Sequence, residues 1–172
     1  MTLKKLTVLA MLTAIYVVLS VLTPIKIINF KFTLEAFPIL VAGLLMGPYE
    51  GLLVGLLGSG IYQVLFSSYG ITPTTILWML PHFFSGFLCG VLARKAGNLT
   101  TVKVIIIATI CAFSVTLLNT LALYVDSRLY GYYSAKLVFG TLLLKFAAGF
   151  ILSVLYALIL PKLIAQLKKI IR

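Results

Sequence analysis

Long apolar runs separated by short polar breaks fill almost the whole chain. Six runs are present: Leu6–Leu22, Ala36–Met46, Gly51–Phe66, Thr74–Leu92, Val104–Tyr124 and Leu137–Leu160. Pairs that break helices, such as Gly47-Pro48 and Thr72-Pro73, fall between the runs. A hydrocarbon core about 30 Å thick needs about 20 apolar residues per helix. The pattern therefore predicts up to six membrane spans, of which the second is short enough to suit a re-entrant segment as well.

Composition supports a membrane protein. The 172 residues are 62% hydrophobic and only 10% charged, and the mean hydropathy is +1.19. A soluble domain has too little interior to hide so much apolar surface. Because the six runs leave almost no room for anything else, we expect one all-α transmembrane domain over residues 1–172.

The distribution of charge predicts the orientation. With six spans, one side of the membrane carries Lys4, Lys5, Arg94, Lys95, Lys103, Lys162, Lys168, Lys169 and Arg172, and the other carries Lys26, Lys31, Arg128 and Lys136. Cytoplasmic loops of membrane proteins collect Lys and Arg. Omitting the second span would place Arg94, Lys95 and Lys103 outside. The charges therefore favour six spans with both termini cytoplasmic, and they account for the net charge of +11 without nucleic acid.

Lys145 stands inside the last apolar run, which contains no acidic residue. A cation in hydrocarbon costs about 2.5–3.5 kcal/mol even on a lenient insertion scale, and it normally faces a protein interior or a wet cavity. The whole chain has three acids, Glu35, Glu50 and Asp126. We therefore expect the negative partner of Lys145 to be a ligand from outside, with Asp126 as the alternative.

Other polar residues are predicted at a similar depth. Counting about 1.5 Å per residue from the outer helix ends puts His82 about 12 Å deep, Asn119 about 8 Å and Lys145 about 13 Å. These positions predict a polar pocket that opens outward, walled by the last four helices. The candidate substrate-binding residues are Lys31, Tyr62, Gln63, Tyr69, Trp78, His82, Asn119, Tyr124, Arg128, Lys136 and Lys145.

Each candidate also has a structural interpretation. Trp78 and the loop tyrosines suit an interfacial aromatic belt. His82 and Asn119 suit hydrogen bonds within the helix bundle, and Arg128 suits a surface pair with Asp126. Cys89 and Cys111 are expected to be small core residues rather than a disulfide.

Sequence motifs for catalysis or metal binding are missing. We find no phosphate-binding loop, no HExxH and no His, Cys and acid cluster, so we expect no enzyme activity, no metal and no cofactor. The spans also lack paired carboxylates that would couple transport to protons or sodium. Energy for any transport is therefore expected from a partner.

Two motifs stand out: Ala10-Met11-Leu12-Thr13-Ala14 in the first run and Phe37–Pro48, which covers most of the second. Both resemble motifs of a known family, the substrate-binding S components of energy-coupling factor (ECF) vitamin transporters. Ala10-Met11-Leu12-Thr13-Ala14 is similar to the small-xxx-small motif by which S components dock on their coupling subunit. The segment Phe37–Pro48 resembles the family's "FPxxLAGLLFGP" hairpin, which Gly51–Ser59 continues. Ser59 is a departure, because many folate-type members carry Asp after the glycine.

The resemblance implies a vitamin-binding subunit of the cell membrane, with its site on the outer side. It further implies docking through Ala10 and Ala14 on a membrane coupling subunit, which works with two ATPases. The S component would topple within the membrane to carry its ligand inward.

The vitamin suggested by the resemblance is folate. Thr72–Trp78 and Leu118–Leu121 are similar to the folate-type branch. A flat pterin, a benzoyl ring and two carboxylates also suit the aromatic residues and the cations Lys31, Arg128, Lys136 and Lys145. Pantothenate or another vitamin with a carboxylate remains an alternative. A second alternative is a structural or assembly membrane protein without a ligand.

Overall fold

The computed structural model describes residues 2–27, 30–67 and 70–171, with side chains left out at 25–27, 30–32, 170 and 171. Two short strands pair as an antiparallel hairpin beside a bundle of helices. In chain order the elements are α1 (Leu3–Leu22), β1 (Ile25–Ile27), β2 (Phe30–Phe32), α2 (Ala36–Leu45), α3 (Pro48–Leu65), α4 (Thr75–Ala96), α5 (Thr101–Leu129), α6 (Ala135–Phe139) and α7 (Leu142–Ile171).

Glycines bring α2, α3 and α4 into backbone contact. A Cβ placed on Gly86 would lie 2.1 Å from the carbonyl oxygen of Gly51, and one on Gly90 would lie 2.2 Å from the nitrogen of Pro48. Small residues allow membrane helices to approach this closely. The turn between α2 and α3 depends on Gly47, whose φ of +125° disfavours other residues. Gly47 and Gly51 are four residues apart, as are Gly86 and Gly90, and both pairs allow the helices to pack closely.

The core lies where α2, α3 and α4 pack against the inner faces of α1, α5 and α7. Tyr16, Ile39, Val54, Val104 and Leu160 are among its fully buried side chains. The outer surface is also apolar, with exposed side chains that include Met11, Ile106, Leu121, Ile151 and Leu158. An apolar exterior around a packed interior is what lipid as solvent allows, and it confirms the membrane prediction.

The predicted six-helix bundle is confirmed, and its helices differ in length from the apolar runs. Within the described part of the chain, four helical segments are long and apolar enough to cross a membrane: Leu3–Leu22, Thr75–Ala96, Thr101–Leu129 and Ala135–Lys169. α2 has 10 residues, or about 15 Å at 1.5 Å per residue. By itself, α2 is therefore about half as long as the hydrocarbon core of a bilayer is thick.

Two local features were missed. The break between the first two apolar runs contains the hairpin β1–β2, with Lys26 opposite Lys31. The last apolar run is divided at Gly140 and Thr141 into α6 and α7. Gly140 ends α6 with an N–H that donates to the Lys136 carbonyl.

Cys89 and Cys111 are free and buried, as predicted. The Sγ of Cys89 lies 3.8 Å from the Leu40 carbonyl oxygen, and that of Cys111 lies 3.7 Å from the Ser85 carbonyl oxygen. Both act as small residues at helix contacts.

Candidate functional site

A carboxylate and an imidazole meet inside the bundle. Glu35 precedes α2, and its Oε1 lies 3.9 Å from Nε2 of His82 on α4. The ring of Tyr16 on α1 meets the His82 ring edge-on, with centroids 5.7 Å apart. Tyr16 packs against Gly58 of α3, where a Cβ would lie 2.5 Å from the tyrosine ring. Four helices therefore hold these three side chains together.

Tyr156 of α7 extends this interior group. Its ring centroid lies 5.5 Å from that of Phe37, and the residue is 7% exposed. Glu35 lies within electrostatic range of both Tyr156 and Tyr16. Among the groups that the structure describes, the Tyr156 hydroxyl has no hydrogen-bond partner. A buried polar group in that state costs about 1–3 kcal/mol, so this hydroxyl suits a hydrogen bond to a ligand.

A second group of polar side chains lies at the outer end of α5. The Arg128 guanidinium carbon stands 4.0 Å from the ring centroid of Tyr133 and 5.5 Å from that of Tyr124. The two rings meet edge-on at 5.6 Å. Gly131, with φ +77°, turns the chain back so that Tyr133 reaches α5, and the N–H of Tyr132 donates to the Ser127 carbonyl. A cation and two aromatic faces are thus presented outward.

Asp126 connects two helix ends at the same level. It accepts hydrogen bonds from the hydroxyls of Thr74, before α4, and Tyr132, beyond α5. Thr72 and Thr75 extend this group through contacts between hydroxyls. These bonds fix the outer ends of α4 and α5 relative to each other.

Lys145 lies nearer to a helix end than the sequence predicts. It is the fourth residue of α7 and half-buried, and its N–H donates to the Thr141 carbonyl. Three residues correspond to about 4.5 Å from the start of α7, whereas Asn119 is ten residues, or about 15 Å, from the end of α5. Helix ends therefore do not place Lys145, Asn119 and His82 at one level, and their convergence stays a prediction.

The remaining predicted residues are spread over the outer half of the molecule. Trp78 lies one turn before His82, and the ring of Tyr62 stacks on Phe66 at 6.4 Å. Gln63 is half-buried, and Lys136 is exposed on α6. Lys31 lies on β2 without a described side chain. Tyr69 lies outside the described residues.

Sequence reasoning missed Glu35, Tyr16 and Tyr156. Glu35 was assigned to a loop, and both tyrosines stand in apolar runs where they resemble core residues. One signal was present, because Glu35 is one of only three acids and directly precedes an apolar helix.

The described residues contain no group of three or more His, Cys, Asp or Glu side chains that could hold a metal ion.

The α1 motif lies on the opposite surface from this interior group. Ala10 and Ala14 are exposed, and with Thr7, Met11 and Val18 they form one exposed stripe along the helix. Leu9, Leu12, Thr13 and Tyr16 form the buried face. Two small residues within an apolar stripe leave a shallow depression that another helix can approach.

Two solved structures of substrate-binding subunits share the fold of this chain. FolT bound with folic acid has a TM-score of 0.74 at 21% identity, covering 93% of this chain and 92% of that one. The S component for biotin from an ECF-type ABC transporter has a TM-score of 0.71 at 20% identity, covering 95% and 94%. No curated protein matches the sequence significantly.

The sequence identifies the family within this class. The family model of the S component of the ECF-type riboflavin transporter matches residues 1–169. The chain therefore belongs to the family of ECF-type riboflavin transporter S components.

Proposed function

We propose that this chain is the vitamin-binding subunit of an ECF-type importer and that its ligand is folate. The single observation that carries the choice of vitamin is the separation of charge. A carboxylate, Glu35, lies inside the bundle beside His82, whereas Arg128 is presented with two tyrosine rings at the outer end of α5.

Folate matches this order of charges from inside to outside. The pterin ring carries an amino group and a ring N–H side by side, and a carboxylate can accept both hydrogens at once. Glu35 is the described interior acid that suits this edge. The Tyr156 hydroxyl, close to Glu35, can bond a further ring atom. The benzoyl ring and the glutamate tail would then extend outward.

The outer cations suit the two carboxylates of that tail. Arg128 offers a planar fork of N–H donors that matches a carboxylate, and Tyr124 and Tyr133 hold it in place. Lys145, half-buried at the start of α7, can supply a second positive charge. In this proposal Arg128, Tyr124 and Lys145 bind the ligand, as the sequence predicts.

Riboflavin is the second candidate, because the family model carries that description. Its ring edge presents one N–H between two carbonyl oxygens. One oxygen of the Glu35 carboxylate could accept from that N–H, but the other would face a second acceptor. Riboflavin also has no carboxylate for the cations. The charges of this chain therefore favour folate over the vitamin of the family description.

The partners proposed are a membrane coupling subunit and two ATPases in the cell membrane. The exposed stripe with Ala10 and Ala14 supports docking, because it leaves α1 open to a second helix while its other face is buried. Binding and docking would then use separate surfaces.

Ligand titration of the purified protein tests the proposal. Trp78 is the only tryptophan, and it lies one turn from His82, so its fluorescence reports on the interior group. We expect saturable quenching by folate at submicromolar concentration. Riboflavin, pantothenate, biotin and thiamine serve as comparison ligands at the same concentrations.

The outcomes separate the candidates. Tight binding of riboflavin without folate would support the second candidate and contradict the assignment of Glu35. If only pantothenate or biotin binds, Glu35 cannot be assigned to a pterin ring, because neither vitamin contains one. If no vitamin binds to a protein that remains folded, the chain is a structural or assembly protein.

A further inference from the structure

The cytoplasmic end of the bundle concentrates positive charge. Its described cations are Lys4, Lys5, Arg94, Lys95, Lys103, Lys162, Lys168 and Lys169. Glu50, in the first turn of α3, is the acid of this end. The cytoplasmic leaflet carries anionic lipids and attracts such clusters. General attraction alone, however, would not require a shaped site.

A shaped site is present between three helix ends. A cavity of about 130 Å³ lies between the end of α2, the end of α4 and the last turns of α7. Arg94 and Lys168 contribute to its wall, and the turn at Gly47 closes one side. About 15 Å³ of such volume accommodates one water molecule, so the cavity has room for a group of several oxygen atoms.

Arg94 lies against the turn at Gly47 within this cleft. Its Nη2 lies 2.8 Å, and its Nε 3.3 Å, from the position that a Cβ on Gly47 would take. Any side chain at this position would displace the guanidinium group, and the φ of +125° disfavours one as well. Arg94 is nevertheless exposed. An accessible cation at the wall of a cleft suits an anion from solution or membrane.

Capping of α4 does not require Arg94. Cations near a helix C-terminus can stabilise its free carbonyls. At the end of α4, however, Lys103 performs this role, since its Nζ donates to the Ala96 carbonyl at 2.7 Å. The guanidinium fork of Arg94 matches two oxygens of a phosphate, and Lys168 adds a compact charge.

We propose that this cleft binds the phosphate headgroup of an anionic phospholipid, with Arg94 and Lys168 as its ligands. A lipid is favoured over free phosphate because Leu44, Leu45, Met46 and Leu99 also line the cleft. Their apolar surface suits the glycerol and the first acyl carbons. The cleft also lies at the end of the spans, where headgroups are found.

Native mass spectrometry of the purified full chain in a neutral detergent tests this site. We expect one phosphatidylglycerol to be retained at concentrations where phosphatidylcholine is not. The variant R94Q/K168Q should weaken retention at least tenfold. Its matched control is K95Q/K169Q, which removes two charges from the adjacent positions of the same helices and should stay within threefold of the native protein.

Each other outcome overturns the proposal. Equal loss in both double variants would mean diffuse attraction without a site. Displacement of the lipid by inorganic phosphate at equal concentration would assign the cleft to a soluble anion. If no lipid is retained, these cations would instead serve contact with a protein partner. Vitamin binding serves as the folding control. If R94Q/K168Q loses it, the single variant K168Q carries the test, with an expected loss of at least fivefold against less than twofold for its matched control K169Q.

Discussion

Glu35 is the residue on which the choice of vitamin depends. The change Glu35→Gln keeps the size of the side chain and replaces one acceptor oxygen with a donor group. If Glu35 accepts both pterin hydrogens, folate binding should weaken at least tenfold, or about 1.4 kcal/mol. Fluorescence titration of Trp78 measures the change. Unaltered folate affinity would show that Glu35 does not bind the pterin ring. A gain in riboflavin affinity would favour riboflavin as the ligand.

Lys145 provides an independent test of the ligand's negative charge. Lys145→Ala should weaken folate binding at least tenfold if the ammonium group meets a carboxylate. Lys145→Arg, which retains the charge, is the matched control and should bind within a few fold of the native protein. If both variants bind folate as the native protein does, Lys145 has a structural role in α7.

Sequence reasoning identified residues by charge, but not residues whose role depends on their neighbours. His82 and Lys145 were predicted because a polar group inside an apolar run is costly. Tyr16 and Tyr156 resemble core aromatic residues in any local pattern, and only the packing of α1 and α7 around Glu35 reveals their common position. Contacts between distant segments leave no trace at one position of a single sequence.

The contact between α3 and α4 requires particular glycines. A Cβ on Gly51 would lie 2.4 Å from the carbonyl oxygen of Gly86, so Gly51→Ala must push the two helices apart. Overpacking of this kind typically costs about 1–3 kcal/mol. We expect the apparent melting temperature to fall by several degrees in a thermal unfolding assay in detergent.

Gly60 on the same helix is the matched control. A Cβ there would meet only the terminal methyl of Met79, at 3.1 Å, and a flexible side chain can move aside. Alanine also favours helix over glycine by about 1 kcal/mol. Gly60→Ala should therefore leave the melting temperature unchanged or raise it. Equal losses in both variants would show that the close contact at Gly51 has no special role.

The helices that span long apolar runs were predictable from the sequence. Elements and breaks that depend on only a few residues were less so. The helices α1, α4 and α5 appear close to their predicted runs. The hairpin β1–β2 has three residues per strand, too few for a strong alternating pattern. The break between α6 and α7 occurs inside an apolar run, at Gly140 and Thr141, so hydropathy alone does not reveal it.

At the scale of the whole molecule, the three proposed tasks fall on different faces. The interior and outer end contain Glu35, His82 and Arg128, the cytoplasmic end contains the basic cleft, and α1 offers its exposed stripe. Because these regions share few residues, substitutions in one should leave the others intact. Separate measurements of vitamin binding, lipid retention and transport can therefore assign a task to each face.

The proposed docking through α1 can be tested only in the complete transporter. Replacing Ala10 or Ala14 with Leu fills the depression in the exposed stripe, so a partner helix could no longer approach closely. Vitamin uptake in cells that contain the coupling subunit and ATPases should fall at least tenfold, while vitamin binding by the purified protein stays unchanged. Leu121→Trp on α5, which adds bulk at another exposed position, should preserve both. Loss of binding in the α1 variants would contradict separate surfaces, and normal uptake would exclude this stripe as the docking face.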